Sequence, residues 1–290
     1  MNILLLTNEY PPHVYGGAGV HVDYLTRAIA NVCKNDDVTL RVLCFGEQHE
    51  QGAKKSVLGI GDAQQCLAPE LAHRKILDTL YRNILMTGSA GQADVVHCHT
   101  WYTFLAGCLI RQTLQIPLVL TIHSLEPHRP WKEEQLGNGY FASSWLEQTA
   151  VQNADGIIAV SSSMKNDVNE LYGPNPDNVR MIYNGIDTGQ YRKTENPQIL
   201  LKYGIDPQKP YMLFVGRITR QKGIIHLANA LRYLDPGIQI VLCAGAPDTA
   251  EIGREMEDRV ARARSETSNT IVWISKFVAR TDLIAIYSHA

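Results

Sequence analysis

The chain has 290 residues, 45% of them hydrophobic and 19% charged, which is ordinary globular composition at a length that predicts two lobes. Its formal charge of −2 excludes the basic field that non-specific nucleic-acid binding needs, so any phosphate site must be a local arrangement. No apolar run nears the roughly 20 residues that cross a bilayer, and the N-terminus lacks the basic segment and long apolar core of a signal peptide.

These absences predict a cytoplasmic protein with no transmembrane segment and no nucleic-acid partner. Cys33, Cys44, Cys66, Cys98, Cys108 and Cys243 show no C-x-x-C spacing and sit mostly in apolar stretches, so reduced thiols are expected.

Short apolar runs alternate with helical patterns along the chain. Residues 3–6 read as a fully apolar strand, and Val22, Leu25, Ile29 and Val32 then recur at helical spacing. Residues 38–44 are β-branched and apolar, a second strand. Ile76, Leu80 and Ile84 mark a helix over 72–86. Residues 94–99, 117–123 and 156–160 read as buried strands, each followed by a helical stretch. Serines at 161–163 can cap the helix that Gly173-Pro174 stops, and residues 179–183 form the last strand of the first lobe.

Asn196-Pro197 opens a short helix that Gly204 ends. The polar, proline-containing stretch 206–210 has no periodicity and is the best linker, which divides the chain into 1–205 and 206–290. Beyond it come strand 211–215, helix 223–234, strand 239–244, helix 250–263, strand 270–274 and a helix from 281. Strands buried on both faces and alternating with helices predict mostly parallel, doubly wound α/β sheets. Three strand–helix units make a small second sheet, so that lobe is expected to be incomplete.

Two loops carry groups suited to phosphate. Asn8-Glu9-Tyr10-Pro11-Pro12-His13-Val14-Tyr15-Gly16-Gly17-Ala18-Gly19 follows a strand and opens a helix, where unpaired N–H groups point at an anion. A nicotinamide-dinucleotide reading fails on three counts. Val22 stands where the third glycine belongs, the loop is too long for the tight turn, and the second strand has no acidic residue at the right distance.

The second loop is Val215-Gly216-Arg217-Ile218-Thr219-Arg220-Gln221-Lys222-Gly223. Arg217 offers a fork and Lys222 a point charge at the carboxyl end of a parallel strand, where ligands of open α/β sheets collect. The two loops together predict an anionic donor held between two lobes.

His123 ends a strand and faces the same edge. His97 and His99 flank Cys98, and strand alternation puts both rings on one face. No third or fourth ligand stands at a recognised metal spacing, and no D-x-D pair follows a strand, so no metal is expected.

Taken together, these segments resemble family 4 glycosyltransferases of the two-Rossmann GT-B type, and within them the bacterial glycogen synthases of actinobacteria. The likeness spans the whole chain. It rests on Asn8-Glu9-Tyr10-Pro11-Pro12 with Gly16-Gly17-Ala18-Gly19, on residues 97–101, on Thr121-Ile122-His123-Ser124 and on residues 154–161. Asn184-Gly185-Ile186-Asp187 and Val215-Gly216-Arg217 with Gln221-Lys222-Gly223 complete it.

The resemblance implies transfer of glucose from ADP-glucose or UDP-glucose to an α-1,4-glucan, with retention of configuration and without metal or other cofactor. It implies donor contacts by Gly16, Gly17 and Gly216, catalytic roles for His123, Arg217 and Lys222, and an acceptor side lined by His99, Trp101 and Asn184. The family's pair of glutamates seven residues apart would follow a strand beyond Ala290, so a fragment with little turnover is expected.

A small acceptor such as glucose 1-phosphate is the alternative within the class. A non-catalytic nucleotide or sugar-phosphate binding module is the alternative outside it.

Overall fold

The computed structural model describes residues 1–33, 37–63, 67–68, 70–71, 73–276 and 278–290. Cys66, and the expected helix start at Ala72, lie outside the described residues; the other five cysteines are free thiols. The chain forms two compact units, Met1–Asn184 and Gly185–Ala290.

The first unit runs β1 (Asn2–Thr7), α1 (Gly17–Val32), β2 (Thr39–Phe45), β3 (His49–Glu50), β4 (Lys55–Ile60), α2 (Arg74–Gly88) and β5 (Val95–His99). It continues with α3 (Phe104–Leu114), β6 (Leu118–Ile122), α4 (Glu133–Leu136), α5 (Gly139–Asn153), β7 (Gly156–Ala159), α6 (Ser162–Tyr172) and β8 (Val179–Met181). Its eight-stranded sheet has the order β3-β4-β2-β1-β5-β6-β7-β8, parallel except for the antiparallel edge pair β3–β4.

Alternate residues of β1 explain why the run is wholly apolar. Leu4 and Leu6 pack with Met86, Phe104 and Ile110 on one face, while Leu5 packs with Val22, Val42 and Val57 on the other. Helices on both faces leave no solvated side for a polar residue to occupy. Gly107 lets α3 lie directly on β5, because a Cβ there would stand 2.4 Å from Cys98 Sγ. The expected cap of α6 is present: Ser161 Oγ accepts the Met164 N–H at 3.1 Å, and Gly173 ends the helix at φ +55.

The second unit contains α7 (Gln198–Lys202), β9 (Tyr211–Arg217), α8 (Ile224–Ala230), β10 (Gln239–Gly245), α9 (Ala250–Glu266), β11 (Ile271–Ile274) and α10 (Arg280–Ser288). Its three strands are parallel in the order β11-β10-β9. Ile240 and Leu242 meet Ile224, Leu231, Ile252 and Met256 on one face; Val241 and Cys243 meet Leu200, Ile205, Tyr211 and Ile286 on the other. Because Leu200 and Ile205 belong to that core, the division by contacts falls between Asn184 and Gly185 rather than at the proline-containing stretch after residue 205.

Two strands carry no clear sequence signal. In β4, Lys55, Ser56 and Gly59 interrupt the apolar pattern, and the strand exists through parallel pairing with β2. Among the described residues, the two-residue β3 pairs only with β4. No helix among the described residues is long and apolar enough to cross a membrane.

Candidate active-site residues

In the first unit, strands are added on one side of β1 by β2 and β4 and on the other by β5 to β8. The reversal makes the carboxyl ends of β1 and β5 a switch point, the place where open α/β sheets bind ligands. The loops after these two strands are joined there: Thr100 Oγ1 donates to Asn8 Oδ1 at 2.8 Å. Thr100 holds φ +66, a left-handed conformation that a β-branched residue adopts at a cost.

The glycine loop already holds an anion, and it belongs to the chain. Glu9 Oε2 accepts the N–H groups of Tyr15 at 2.8 Å and of Gly16 at 2.6 Å. Gly16 is the N-cap of α1, and Gly17, the first helical residue, is exposed with open space where a Cβ would stand. The first-turn N–H groups of a helix have no partner within it, so this end is electropositive. Gly19 is a packing glycine, since a Cβ there would meet Glu9 Cβ at 2.7 Å.

Four imidazoles gather at the same edge. His97 and His99 share one face of β5 with ring centroids 4.4 Å apart, as strand alternation requires. His99 Nδ1 lies 3.1 Å from His123 Nε2, and His97 Nε2 lies 2.8 Å from Thr121 Oγ1. His21, on α1, completes the group, with its ring 5.5 Å from His99 and 4.8 Å from His123. Burial is the main cause that lowers all four pKa values, and the neighbouring rings add to it for His97, His99 and His123. His97 is pushed down to about 4 and His123 to about 3, and His99 lies well below the usual value. The rings are therefore neutral at pH 7, each with one N–H and one lone pair.

His99 is 0% exposed and its Nε2 is buried without a partner. Trp101 is 3% exposed and stacks on Tyr102 at 4.1 Å. Neither presents a solvent-facing surface in this conformation, whereas His123 is half-buried and Asn184 is exposed at the end of the unit. Of the first unit's expected site residues, the structure brings together His99 and His123.

Behind the loop that follows β6 lies a buried acidic pair. Glu147 Oε1 accepts the Glu126 N–H at 2.8 Å and the Tyr172 hydroxyl at 2.5 Å. Glu126 Oε2 accepts from Ser143, and its Oε1 pairs with Arg129 at 3.4 Å. Burial is the chief cause that pushes the Glu147 carboxyl up to about 8, so it holds a proton at neutral pH.

In the second unit, Gly216 and Arg217 end β9, and Lys222 closes the 3-10 turn Arg220–Lys222 beyond it. Thr219 organises this turn, its Oγ1 accepting the Lys222 N–H at 3.2 Å. Lys222 is exposed, and its side chain runs past Gly216, with Cγ 4.0 Å from where a Cβ would be. Arg217 Nη1 donates to Asp248 Oδ1 at 2.7 Å. Asp248 follows β10, whose Gly245 is in register with Arg217, so the parallel pairing delivers the carboxylate to the same strand edge.

His21, Glu9 and Asp248 are the residues that sequence reasoning passes over. His21 had a signal, since it stands four residues past Gly17 and so on the same helix face. The roles of Glu9 and Asp248 depend on folded geometry.

The model of Glycosyltransferase Family 4 matches residues 15–190. The chain is 43% identical to alpha-maltose-1-phosphate synthase of Mycobacterium tuberculosis over 100% of its own length and 72% of that relative's. It is 28% identical to glycogen synthase of the same organism over 91% of this chain and 66% of that one. Sucrose-phosphate synthase from Thermosynechococcus elongatus superposes with a TM-score of 0.77 at 18% identity, covering 100% of this chain and 73% of the other, a likeness of fold. The chain belongs to glycosyltransferase family 4. It is a hexosyltransferase-type enzyme of the GT-B fold, with an eight-stranded first sheet and a small, three-stranded second one.

Proposed function

We propose that the chain moves glucose from ADP-glucose or UDP-glucose onto a small phosphorylated acceptor, glucose 1-phosphate, with retention of configuration and without a metal in the reaction. The observation that carries this is the difference in likeness: 43% identity over the whole chain to alpha-maltose-1-phosphate synthase, against 28% to glycogen synthase. It favours the small acceptor over the glucan end that the sequence motifs suggest. A cytoplasmic setting belongs to the same reading.

The roles follow from chemistry. Departure of a nucleoside diphosphate leaves negative charge on its terminal phosphate. Arg217 and Lys222 stabilise that charge, the type of preorganised electrostatic contribution that dominates many transferases. Gly216 lets the backbone come close, while the Gly17 N–H supplies a further donor and the Gly16 N–H does so once Glu9 is displaced. His123, neutral, keeps its Nδ1 for one hydrogen bond with a hydroxyl of the transferred sugar, since its Nε2 meets His99. His99 acts beneath the surface by orienting His123 through the 3.1 Å contact. Trp101 shapes the acceptor side from below, and Asn184 is exposed for direct contact.

The test offers each nucleotide sugar with glucose 1-phosphate or with glycogen and analyses products by mass spectrometry. A phosphorylated disaccharide is expected. Label entering glycogen without that product would overturn the acceptor assignment. Uptake of ADP or UDP with transfer to neither acceptor would favour the binding-module alternative.

A further inference from the structure

We propose that His21, His99 and His123 form a binding site for a divalent transition-metal ion of the zinc class, and that a bound ion inhibits transfer. One ring nitrogen from each lies within 4.8 Å of the others, contributed by α1, by the end of β5 and by the segment after β6. With metal–nitrogen bonds of about 2.0–2.1 Å, tetrahedral ligands stand about 3.3 Å apart. His99 and His123 already approach to 3.1 Å. The remaining closure falls on His21, a half-buried side chain on a helix surface with two rotatable bonds.

The packing around the rings points the same way. His97 and Thr121 back the cluster, since the His97 ring packs on His99 and bonds Thr121.

The donor set selects the ion. Three imidazoles without a carboxylate suit zinc, copper or nickel and disfavour magnesium and calcium, which want oxygen. Three protein ligands leave one position for water. Ligation would engage His123, the ring assigned above to the donor sugar. The inhibitory part rests on that assignment; metal binding does not.

Chelator-treated protein titrated with cobalt(II) tests the site through the visible absorption of tetrahedral cobalt. One ion per chain is expected, displaced by one equivalent of zinc. His21→Ala should weaken cobalt binding at least about tenfold and relieve zinc inhibition of transfer by a similar factor. His99→Gln should also abolish the tetrahedral spectrum, and circular dichroism would check its fold. His128→Ala, at an exposed histidine facing Asp167, should leave the titration unchanged.

Absence of the spectrum, or equal affinity in wild type and His21→Ala, would overturn the site. Stoichiometric binding that leaves transfer untouched would uphold the metal site but refute its inhibitory effect, and with it the role given to His123.

Discussion

Replacing Glu147 with glutamine isolates one buried proton. Glu147 is 2% exposed, and its carboxyl is pushed from 4.5 up to about 8, first by burial and further by the charge of Glu126. The bonds from Tyr172 and the Glu126 N–H oppose this shift. Between those pH values the folded chain keeps a proton that the unfolded chain releases. Stability contributed by the protonated carboxyl is therefore full below about 4.5 and declines as pH rises to about 8. At about 1.4 kcal/mol per pH unit, the loss over that window is roughly 5 kcal/mol at most.

Glutamine keeps an oxygen for Tyr172 and Glu126 and cannot ionise. Glu147→Gln should match wild type within about 1 kcal/mol at pH 5 and exceed it by several kcal/mol at pH 9. Urea unfolding from pH 5 to 9 measures this, read on the first unit's transition through the emission of Trp101, Trp131 and Trp145. Parallel stability profiles for the two proteins would refute a proton held on Glu147. A variant less stable at every pH would show that the site needs a second carboxylate oxygen rather than a neutral group.

Three other outcomes are expected. Lys222→Ala and His123→Ala should each lower kcat, by about a hundredfold or more for the lysine, with melting temperatures nearly unchanged; equal loss of fold and rate would make either residue structural. Asp248→Asn removes a negative charge 2.7 Å from the Arg217 guanidinium, so ADP or UDP should bind a few-fold more tightly by calorimetry, as suits a partly exposed pair worth about 1 kcal/mol or less. Weaker binding would mean that Asp248 is needed to aim Arg217. Gly107→Ala forces a methyl against Cys98 and Leu118 and should cost about 1–3 kcal/mol in chemical denaturation; unchanged stability would mean that α3 can lift from β5.

What was legible in the sequence follows from how locally each feature is determined. β1, β2, β5, β6, β10 and β11 stand out because strands covered on both faces must be apolar at nearly every position. β4 does not, because Lys55 and Ser56 break its run and pairing with its neighbours makes it a strand. The helix ends at Ser161 and Gly173 obey local capping chemistry and were readable.

The candidate site was half visible. Its loops announce themselves through glycine and charge, and the shared face of His97 and His99 follows from strand alternation. The burial of Trp101 did not, because a tryptophan beside a strand end looks the same whether it faces a ligand or the core. His21 joins His99 and His123 through a crossing of helix and sheet that no sequence spacing records. Arg217 reads as a free cation until β10 pairs in register and brings Asp248 beside it.

The Glu9 carboxylate bears on how tightly this chain can grip anything negative at the start of α1. Tyr15 and Gly16 already have an occupant, so a phosphate claiming those amides must evict it, and measured affinity is the difference between two anions rather than the full attraction of one. The same occupant keeps the amides aligned while the seat awaits a ligand. Selectivity there is thus a contest, which a singly charged ion is poorly equipped to win and a multiply charged one is better placed to enter.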